Sequence, residues 1–454
     1  MALSSETETQ PETQTQKQSP ATVDKFSTLK RYRIDIIGVS CLALLAAALT
    51  YFRFQSLDPV IYTDFTEDVW FGSDIERVIG NISDRSLSFR AGVHPLFPLL
   101  VYPFVRGIQA VLGTDTVSAI QGVIAIAAAV WLSLLATIFR LIGCPRVDTV
   151  LYSLLILFSA GVLFWTTVPE SYLLGSLSMV VPMFVVVLSR YVHVPAYGYI
   201  LASAFSLSIT TTNWMAGLFA TFVGYPWKRA LIIVLQTFAF VGGLWIVQKQ
   251  LFPLADFFLA SDVFQEELKY VSPQSSGGPI RVIAGLLFHP MVMPSILTIP
   301  SNRGLAEWPL LSVQLSAPGS GGILGAIAAI IWGGLLLIGG WALFSKRVDP
   351  KLRLFFLLMV AGQFALHLVY GEETFLYALH ILPFLMLTVA FTSLTRLRMV
   401  SLALVSALIL LVAANNSMQF GYASDFLKQE GPLRQQIESA EVSLENSPCW
   451  HRFA

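Results

Sequence analysis

Apolar residues gather along this chain into runs separated by short polar breaks. A helix that crosses a bilayer needs about 20 mostly apolar residues. The runs that qualify are Ile34–Tyr51, Thr116–Ile138, Val150–Thr166, Tyr172–Leu188, Tyr197–Ser208, Trp214–Val223, Ala230–Val247, Ile323–Leu343, Leu354–Val369, Phe375–Ala390 and Ser401–Ala414. The fifth and sixth are short, and the polar run Thr210, Thr211, Thr212 and Asn213 joins them. That joint reads either as a tight outer turn between two spans or as one broken re-entrant element lining a cavity. The pattern predicts an all-α, polytopic membrane protein with about 11 spanning helices.

The placement of positive charge orients these spans. With the N-terminus inside, the predicted inner loops carry Arg140 and Arg146, then Arg190, then Lys228 and Arg229. Later ones carry Lys346, Arg347, Lys351 and Arg353, then Arg396 and Arg398. The alternate turns at Pro169–Glu170, Thr210–Asn213 and Gly371–Glu373 hold no Lys or Arg. This is the asymmetry of the positive-inside rule. It requires the proline-bearing segment His94–Val111 not to cross, and predicts a surface-lying or partly inserted helix there. Two long outer segments result, about 52–115 and 248–322, the first holding juxtamembrane helices. The predicted divisions are a disordered cytoplasmic tail over 1–29, a membrane domain over 30–415 and a short outer tail over 416–454.

Composition agrees with this picture. The chain is 55% hydrophobic and 12% charged, where soluble domains average about 25% charged. Its 28 basic and 28 acidic residues balance, so charge gives no reason to expect a nucleic-acid partner. The first 23 residues are mostly Thr, Gln, Glu and Ser, the signature of a disordered tail rather than a cleaved signal. Cys41, Cys144 and Cys449 have no spacing that suggests a disulfide framework or a zinc site.

Candidate chemistry concentrates on the outer side. The first loop holds Tyr62, Thr63, Asp64, Glu67 and Asp68, then Ser73, Asp74, Ile75, Glu76 and Arg77, then Arg90 and His94. Asp74 and Arg77 share a helix face, and Ser73 or Asp74 suits a helix N-cap. A carboxylate at a bilayer surface can act as a base toward a hydroxyl. Arg90 and His94 can meet a phosphate whose lipid tail stays in the membrane. The plainer reading is a solvated interfacial helix with ordinary ion pairs. A second cluster holds Glu372 and Glu373, with His380 seven residues beyond Glu373 and His367 on the preceding helix. The carboxylates suit a helix N-terminus as caps, whereas polar groups inside spans are functional candidates. Glu170 and Asn213 mark two further outer turns, each a candidate cavity wall, with capping the plainer role for Glu170. The loop Pro273–Pro279 reads as a lid or a linker. No phosphate-cradling glycine loop is present. Asp64, Asp68 and Asp74 offer oxygen ligands for a divalent cation without a spacing that requires one; no other cofactor is expected.

These motifs resemble the multi-span glycosyltransferases that use polyprenyl-phosphate-linked sugars, closest to bacterial relatives of protein O-mannosyltransferases and lipid A aminoarabinose transferases. The matching residues are Ser73–Arg77, then His94, Pro95, Leu96, Phe97, Pro98 and Leu99, then Glu373, Thr374, Phe375, Tyr377, His380 and Pro383. Where similar proteins carry two adjacent carboxylates, Ile75 follows Asp74 here, so Asp64 and Asp68 remain rivals for the base. Where they carry a late arginine, this chain has Glu372 and Glu373. The resemblance implies inverting transfer from a lipid-phosphate sugar to a lipid, glycan or protein acceptor in a bacterial inner membrane. It implies Asp74 or Asp64 as base, with Arg77, Arg90, His94, Glu170, Asn213, Glu372, Glu373 and His380 around the substrates. The rivals are a transporter or flippase with a path through His367 and His380, and a structural scaffold of the cell envelope.

Overall fold

A computed structural model describes residues 25–62, 69–86, 92–271, 274–301 and 308–445 of the chain. Residues 1–24 of the tail expected over 1–29, the rival bases Asp64 and Asp68, the candidate phosphate ligand Arg90 and Cys449 lie outside the described residues, and residues 25–29 belong to the first helix instead. Among the described residues the protein is a helical bundle with one small strand pair. The helices are α1 (Lys25–Phe54), α2 (Ile75–Ser83), α3 (Phe97–Leu112), α4 (Thr116–Ile142), α5 (Arg146–Leu157), α6 (Ala160–Trp165), α7 (Tyr172–Leu188) and α8 (Ala196–Ile209). They continue as α9 (Trp214–Gly224), α10 (Trp227–Leu251), α11 (Ser261–Leu268), α12 (Pro279–Phe288), α13 (Ile323–Leu343), α14 (Pro350–Val369), α15 (Ala378–Ala390) and α16 (Arg398–Glu445). Strands β1 (Leu297–Ser301) and β2 (Trp308–Ser312) form an antiparallel hairpin, Leu297 opposite Ser312. It lies in the second long loop and touches the first, where Leu311 N–H donates to the Val69 carbonyl at 2.9 Å.

Among the described residues seven helices are long and apolar enough to cross a membrane: Arg33–Phe54, Thr116–Ile142, Trp227–Leu251, Ile323–Leu343, Pro350–Val369, Thr374–Leu394 and Arg398–Pro432. The protein is therefore read as integral to a membrane. The other four predicted spans are shorter or broken. Val150–Thr166 divides into α5 and α6 at Phe158–Ser159. The backbone groups freed there all find partners, as a break at membrane depth demands. Ala160 and Gly161 N–H donate to the carbonyls of Met291 and Pro290, and Asn416 Nδ2 donates to the carbonyls of Phe158 and Met291. Helices α8 and α9 form an antiparallel hairpin whose tip is Thr210–Asn213. At about 1.5 Å per residue α8 is only about 21 Å long, shorter than the roughly 30 Å hydrocarbon core. That length argues for a tip recessed below the bilayer surface.

The predicted basic loops meet at one end of the bundle. Asp35 on α1 pairs with Arg140 at 3.0 Å and Arg146 at 2.8 Å. Asp148 on α5 pairs with Arg398 on α16 at 2.7 Å, and Arg190 pairs with Asp349 at 3.5 Å. Helix α3 begins beside the α8 terminus, where Leu96 N–H donates to the Ser208 carbonyl. It ends at Gly113, two residues before Asp115 caps α4. Since α4 then runs to the basic end, α3 starts and finishes at the opposite end and does not carry the chain across.

Helices α7 and α15 form the buried centre. A hydrogen-bonded relay pins them to α4: Trp131 Nε1 donates to Ser176 Oγ at 2.9 Å, and Ser176 Oγ donates to the Leu379 carbonyl at 2.6 Å. The α13–α15 crossing is equally close. A methyl added at Gly339 would lie 2.4 Å from the Thr388 carbonyl oxygen, and a backbone atom in a packed helix cannot rotate away. Gly339→Ala is expected to destabilise the bundle by about 1–3 kcal/mol, read as a lower unfolding temperature in nanodiscs.

The predicted boundary at 415/416 falls inside α16, which runs unbroken past it. Asn415 and Asn416 are buried there and hold the backbone of Met293. Farther along, Ser424 Oγ donates to the Ser56 carbonyl at 3.4 Å, and Gly431 lies against Val60. The C-terminal half of α16 is thus a strut against the first loop.

Candidate functional site

The end opposite the basic ion pairs holds a cavity, and it begins with the approach to α2. Val69–Gly72 is a tight turn in which Phe71 (φ 57°) and Gly72 (φ 70°) are both left-handed. The conformation costs a phenylalanine about 1–3 kcal/mol. The offset is aromatic burial: the Phe71 ring is 1% exposed and packs edge-on against Phe164 and Phe375, with centroids 5.6 and 5.2 Å away. Trp70 Nε1 fixes the turn further by donating to the Phe164 carbonyl at 3.2 Å.

The turn delivers Asp74 to the head of α2. Its N–H donates to Glu170 Oε1 at 2.5 Å, while Glu170 Oε2 accepts from Ser171 N–H at 2.8 Å. Glu170, 5% exposed, therefore joins the α2 start to the α7 start. Asp74 occupies the N-cap position, but its side chain makes no capping hydrogen bond. The expected cap is absent there; the carboxylate accepts instead from Arg77, whose side chain is 50% exposed. Helix α2 turns Ile75, Val78 and Ile82 inward and leaves Arg77 at the rim. Nine residues are too few to cross a bilayer, so it lies along the bundle.

The cavity wall joins residues from five distant stretches of sequence. Asp74, Arg77, His94, Glu170, Asn213 and His380 line it together. His94 Nδ1–H donates to the Ile209 carbonyl at 2.8 Å, which fixes the ring against the α8 terminus. Asn213, 1% exposed, donates through Nδ2 to the Gly175 carbonyl at 3.1 Å. Tyr172, Gln363, His367, Tyr370 and Tyr377 line it as well. Of these, Gln363 and Tyr172 escaped the sequence reading. A signal for Gln363 existed, because it precedes His367 by four residues on one helix face.

A glycine makes room for the deepest part. A methyl on Gly175 would stand 2.4 Å from His380 Nε2 and 3.1 Å from Asn213 Nδ2. Gly175→Ala should keep α7 helical and displace His380, reducing any activity of the cavity about ten-fold or more. Turnover of the variant, with its unfolding temperature as control, checks this.

Glu372 and Glu373 lie apart from the cavity lining. Glu372 is exposed. Glu373 is buried and ties the second loop to the turn before α15. Its Oε2 accepts from Ser312 Oγ at 2.7 Å and from the N–H groups of Val313 and Gln314, and its Oε1 accepts from Phe375 N–H. Burial holds the Glu373 carboxyl above its ordinary value, against four donors that each pull it down. Glu373 is thus held as a cap and a loop anchor and Glu372 faces solvent, so neither joins the other expected substrate-contacting residues in this cavity.

The second loop forms the outer rim. Tyr370 donates its hydroxyl to Glu267, and Gly371 N–H donates to the Tyr270 carbonyl at 3.0 Å. The expected lid segment is partly tied down: Gln314 Nε2 donates to the Ser276 carbonyl at 2.6 Å, and Gly277 and Gly278 turn with positive φ. Beneath it His289 is 1% exposed, and burial pulls it down to about 4 from 6.5 against the opposing pull of the Ser316 backbone. Below pH 6.5 the unfolded chain takes up a proton that the folded chain refuses. Stability present above that pH is therefore lost as pH falls toward 4. His289→Leu should flatten this part of the stability curve, measured as unfolding temperature against pH.

Among the described residues no group of three or more His, Cys, Asp or Glu side chains is placed to hold a metal ion. Two of the three aspartates considered for a cation lie outside those residues. Comparison with family models, with curated proteins and with solved structures gives no match.

Proposed function

We propose that this protein is a glycosyltransferase that moves one sugar from a polyprenyl-phosphate donor to a hydroxyl acceptor, with inversion at the anomeric carbon. The observation that carries the reading is the convergence of Asp74, Arg77, His94, Glu170, Asn213 and His380 on one cavity, at the end away from the basic loops. By the positive-inside rule that end is the non-cytoplasmic one. The resemblance adds a bacterial inner membrane.

In this mechanism the Asp74 carboxylate takes the proton of the acceptor hydroxyl as its oxygen attacks the anomeric carbon. The bond from that carbon to the phosphate oxygen breaks, and polyprenyl phosphate leaves. Arg77 has two tasks. In the resting protein it is engaged by Asp74. A phosphate at the rim competes for the guanidinium, which it can bind through two parallel hydrogen bonds, and the carboxylate is released toward the acceptor. Charge developing on the leaving phosphate then meets a cation already in place. Glu170 holds the Asp74 backbone and acts as a positioning residue. The polyprenyl tail stays between helices in the bilayer.

The cavity's position supports transfer over transport. His367 and His380 line the same end cavity as Asp74, whereas the opposite end is tied by the Asp148–Arg398 and Asp35–Arg146 pairs. The test is a transfer assay on purified protein in nanodiscs, with radiolabelled mannosyl, glucosyl, galactosyl and arabinosyl polyprenyl phosphates and a membrane extract as acceptor. Label moved from one donor to an acceptor supports the reading. Counter-flow of a labelled solute or lipid in proteoliposomes, with no transfer from any donor, favours transport instead.

A further inference from the structure

The cavity divides by charge. Among its lining residues Asp74, Arg77 and Glu170 are the only Asp, Glu, Lys or Arg side chains, and the part formed by Gln363, His367 and His380 carries none. Gln363 is 1% exposed and His367 2% exposed; Gln363 Oε1 and both ring nitrogens of His367 have no hydrogen-bond partner, nor has Nε2 of His380, 5% exposed. Gln363 Nε2 touches only the sulfurs of Met179 and Met215, at 3.5 and 3.4 Å. Neither His367 nor His380 forms an ion pair among the described residues. Buried polar atoms without partners are costly and rare, and three such side chains facing one cavity mark where a ligand's polar atoms go.

Their chemistry limits which ligand fits. A charge buried without a counter-ion is costly, so these imidazoles are uncharged. Each then offers one donor and one acceptor nitrogen, and Gln363 offers an acceptor oxygen. That set matches hydroxyl groups, which both donate and accept. It does not match a phosphate, which needs donors and cations. Tyr377 adds an aromatic face, stacked on His367 with centroids 4.0 Å apart.

We infer that the floor formed by Gln363, His367 and His380 is the subsite for the uncharged, hydroxyl-bearing sugar of the donor, while its phosphate stays at the rim beside Arg77. The inference rests on the transferase reading and assigns the floor residues to donor selectivity. The enclosed volume is about 80 Å³, room for a handful of waters. That is less than a lipid-linked sugar occupies, so the inference requires the cavity to widen when the donor binds.

The test compares ligands with and without the sugar. Wild-type protein and the variants Gln363→Met and His367→Phe, in nanodiscs, are titrated with farnesyl phosphate and with its mannosyl, glucosyl, galactosyl and arabinosyl esters. Both substitutions keep side-chain bulk, and His367→Phe keeps the stack on Tyr377. Wild type is expected to bind one ester about ten-fold more tightly than farnesyl phosphate, the worth of one or two hydrogen bonds. The variants should bind farnesyl phosphate like wild type and lose that preference. A wild type with no preference for any ester overturns the floor assignment and leaves the transferase reading standing. So do folded variants that keep the full preference. A wild type that binds neither class of ligand overturns the transferase reading, and this inference with it.

Discussion

Asp74→Asn is expected to leave a folded, monodisperse protein and to reduce sugar transfer by about a hundred- to ten-thousand-fold, the range a general base contributes. The substitution removes one negative charge and little else. The N–H that donates to Glu170 is unchanged, and the side chain makes no capping bond to lose. The broken ion pair involves a half-exposed arginine, and such surface pairs contribute less than about 1 kcal/mol. A single-turnover assay with saturating donor separates lost chemistry from lost binding. Transfer at the wild-type rate by well-expressed Asp74→Asn would remove the residue as base, and attention would move to Asp64 and Asp68.

Asp148→Ala is expected to act at the other end and in the opposite manner, lowering stability while sparing the cavity. Asp148 is 0% exposed and accepts from Arg398 Nη2 at 2.7 Å, Arg398 Nε at 2.9 Å and Ser393 Oγ at 2.6 Å. Ser393 Oγ in turn shares a hydrogen bond with the Tyr152 hydroxyl at 2.8 Å. Truncation leaves Arg398 without its counter-ion and Ser393 without its acceptor. Losing one partner of a buried pair costs about 3–5 kcal/mol. Arg398 is about one-third exposed, and water reduces the expected loss to about 2–4 kcal/mol. Unfolding temperature in nanodiscs should fall by several degrees, while folded protein binds donor as wild type does. An unchanged unfolding temperature would show that water already serves Arg398 at this end.

These two residues also illustrate what the sequence revealed. Asp74 stood out because it follows the first span, sits three residues before Arg77 and lies in the stretch Ser73–Arg77 that carries the resemblance. Those are local relations, which periodicity and spacing convey. The basic end was legible for the same kind of reason, since Arg140, Arg146, Arg190 and Arg398 mark its loops by the charge rule alone. Asp148 was not singled out. Its importance lies in Arg398 and Ser393, about 250 positions away, and spacing along a chain does not report such pairings. The division of Val150–Thr166 was hidden likewise. An apolar run reads as one helix until a distant Asn416 and the carbonyls of Met291 and Pro290 are there to satisfy the break.

The cavity shows the same division. His94, Glu170, Asn213 and His380 were each suspected as isolated polar residues beside apolar runs, and the fold brings them to one wall. Glu373 looked similar in sequence, yet its carboxylate is occupied by loop backbone. A carboxylate at a helix start suits a cap or a ligand equally, and only the backbone around it decides which. Gln363 was overlooked because an amide in an apolar helix carries no charge to mark it.

The most direct test of the account is a cryo-electron microscopy structure of Asp74→Asn in nanodiscs with the donor that the transfer assay identifies. Phosphate density is expected within hydrogen-bonding distance of Arg77, sugar density against Gln363, His367 and His380, and a tail leaving between helices at the cavity end. Donor bound at the basic end near Arg398, or a cavity that holds only water at saturating donor, would contradict it.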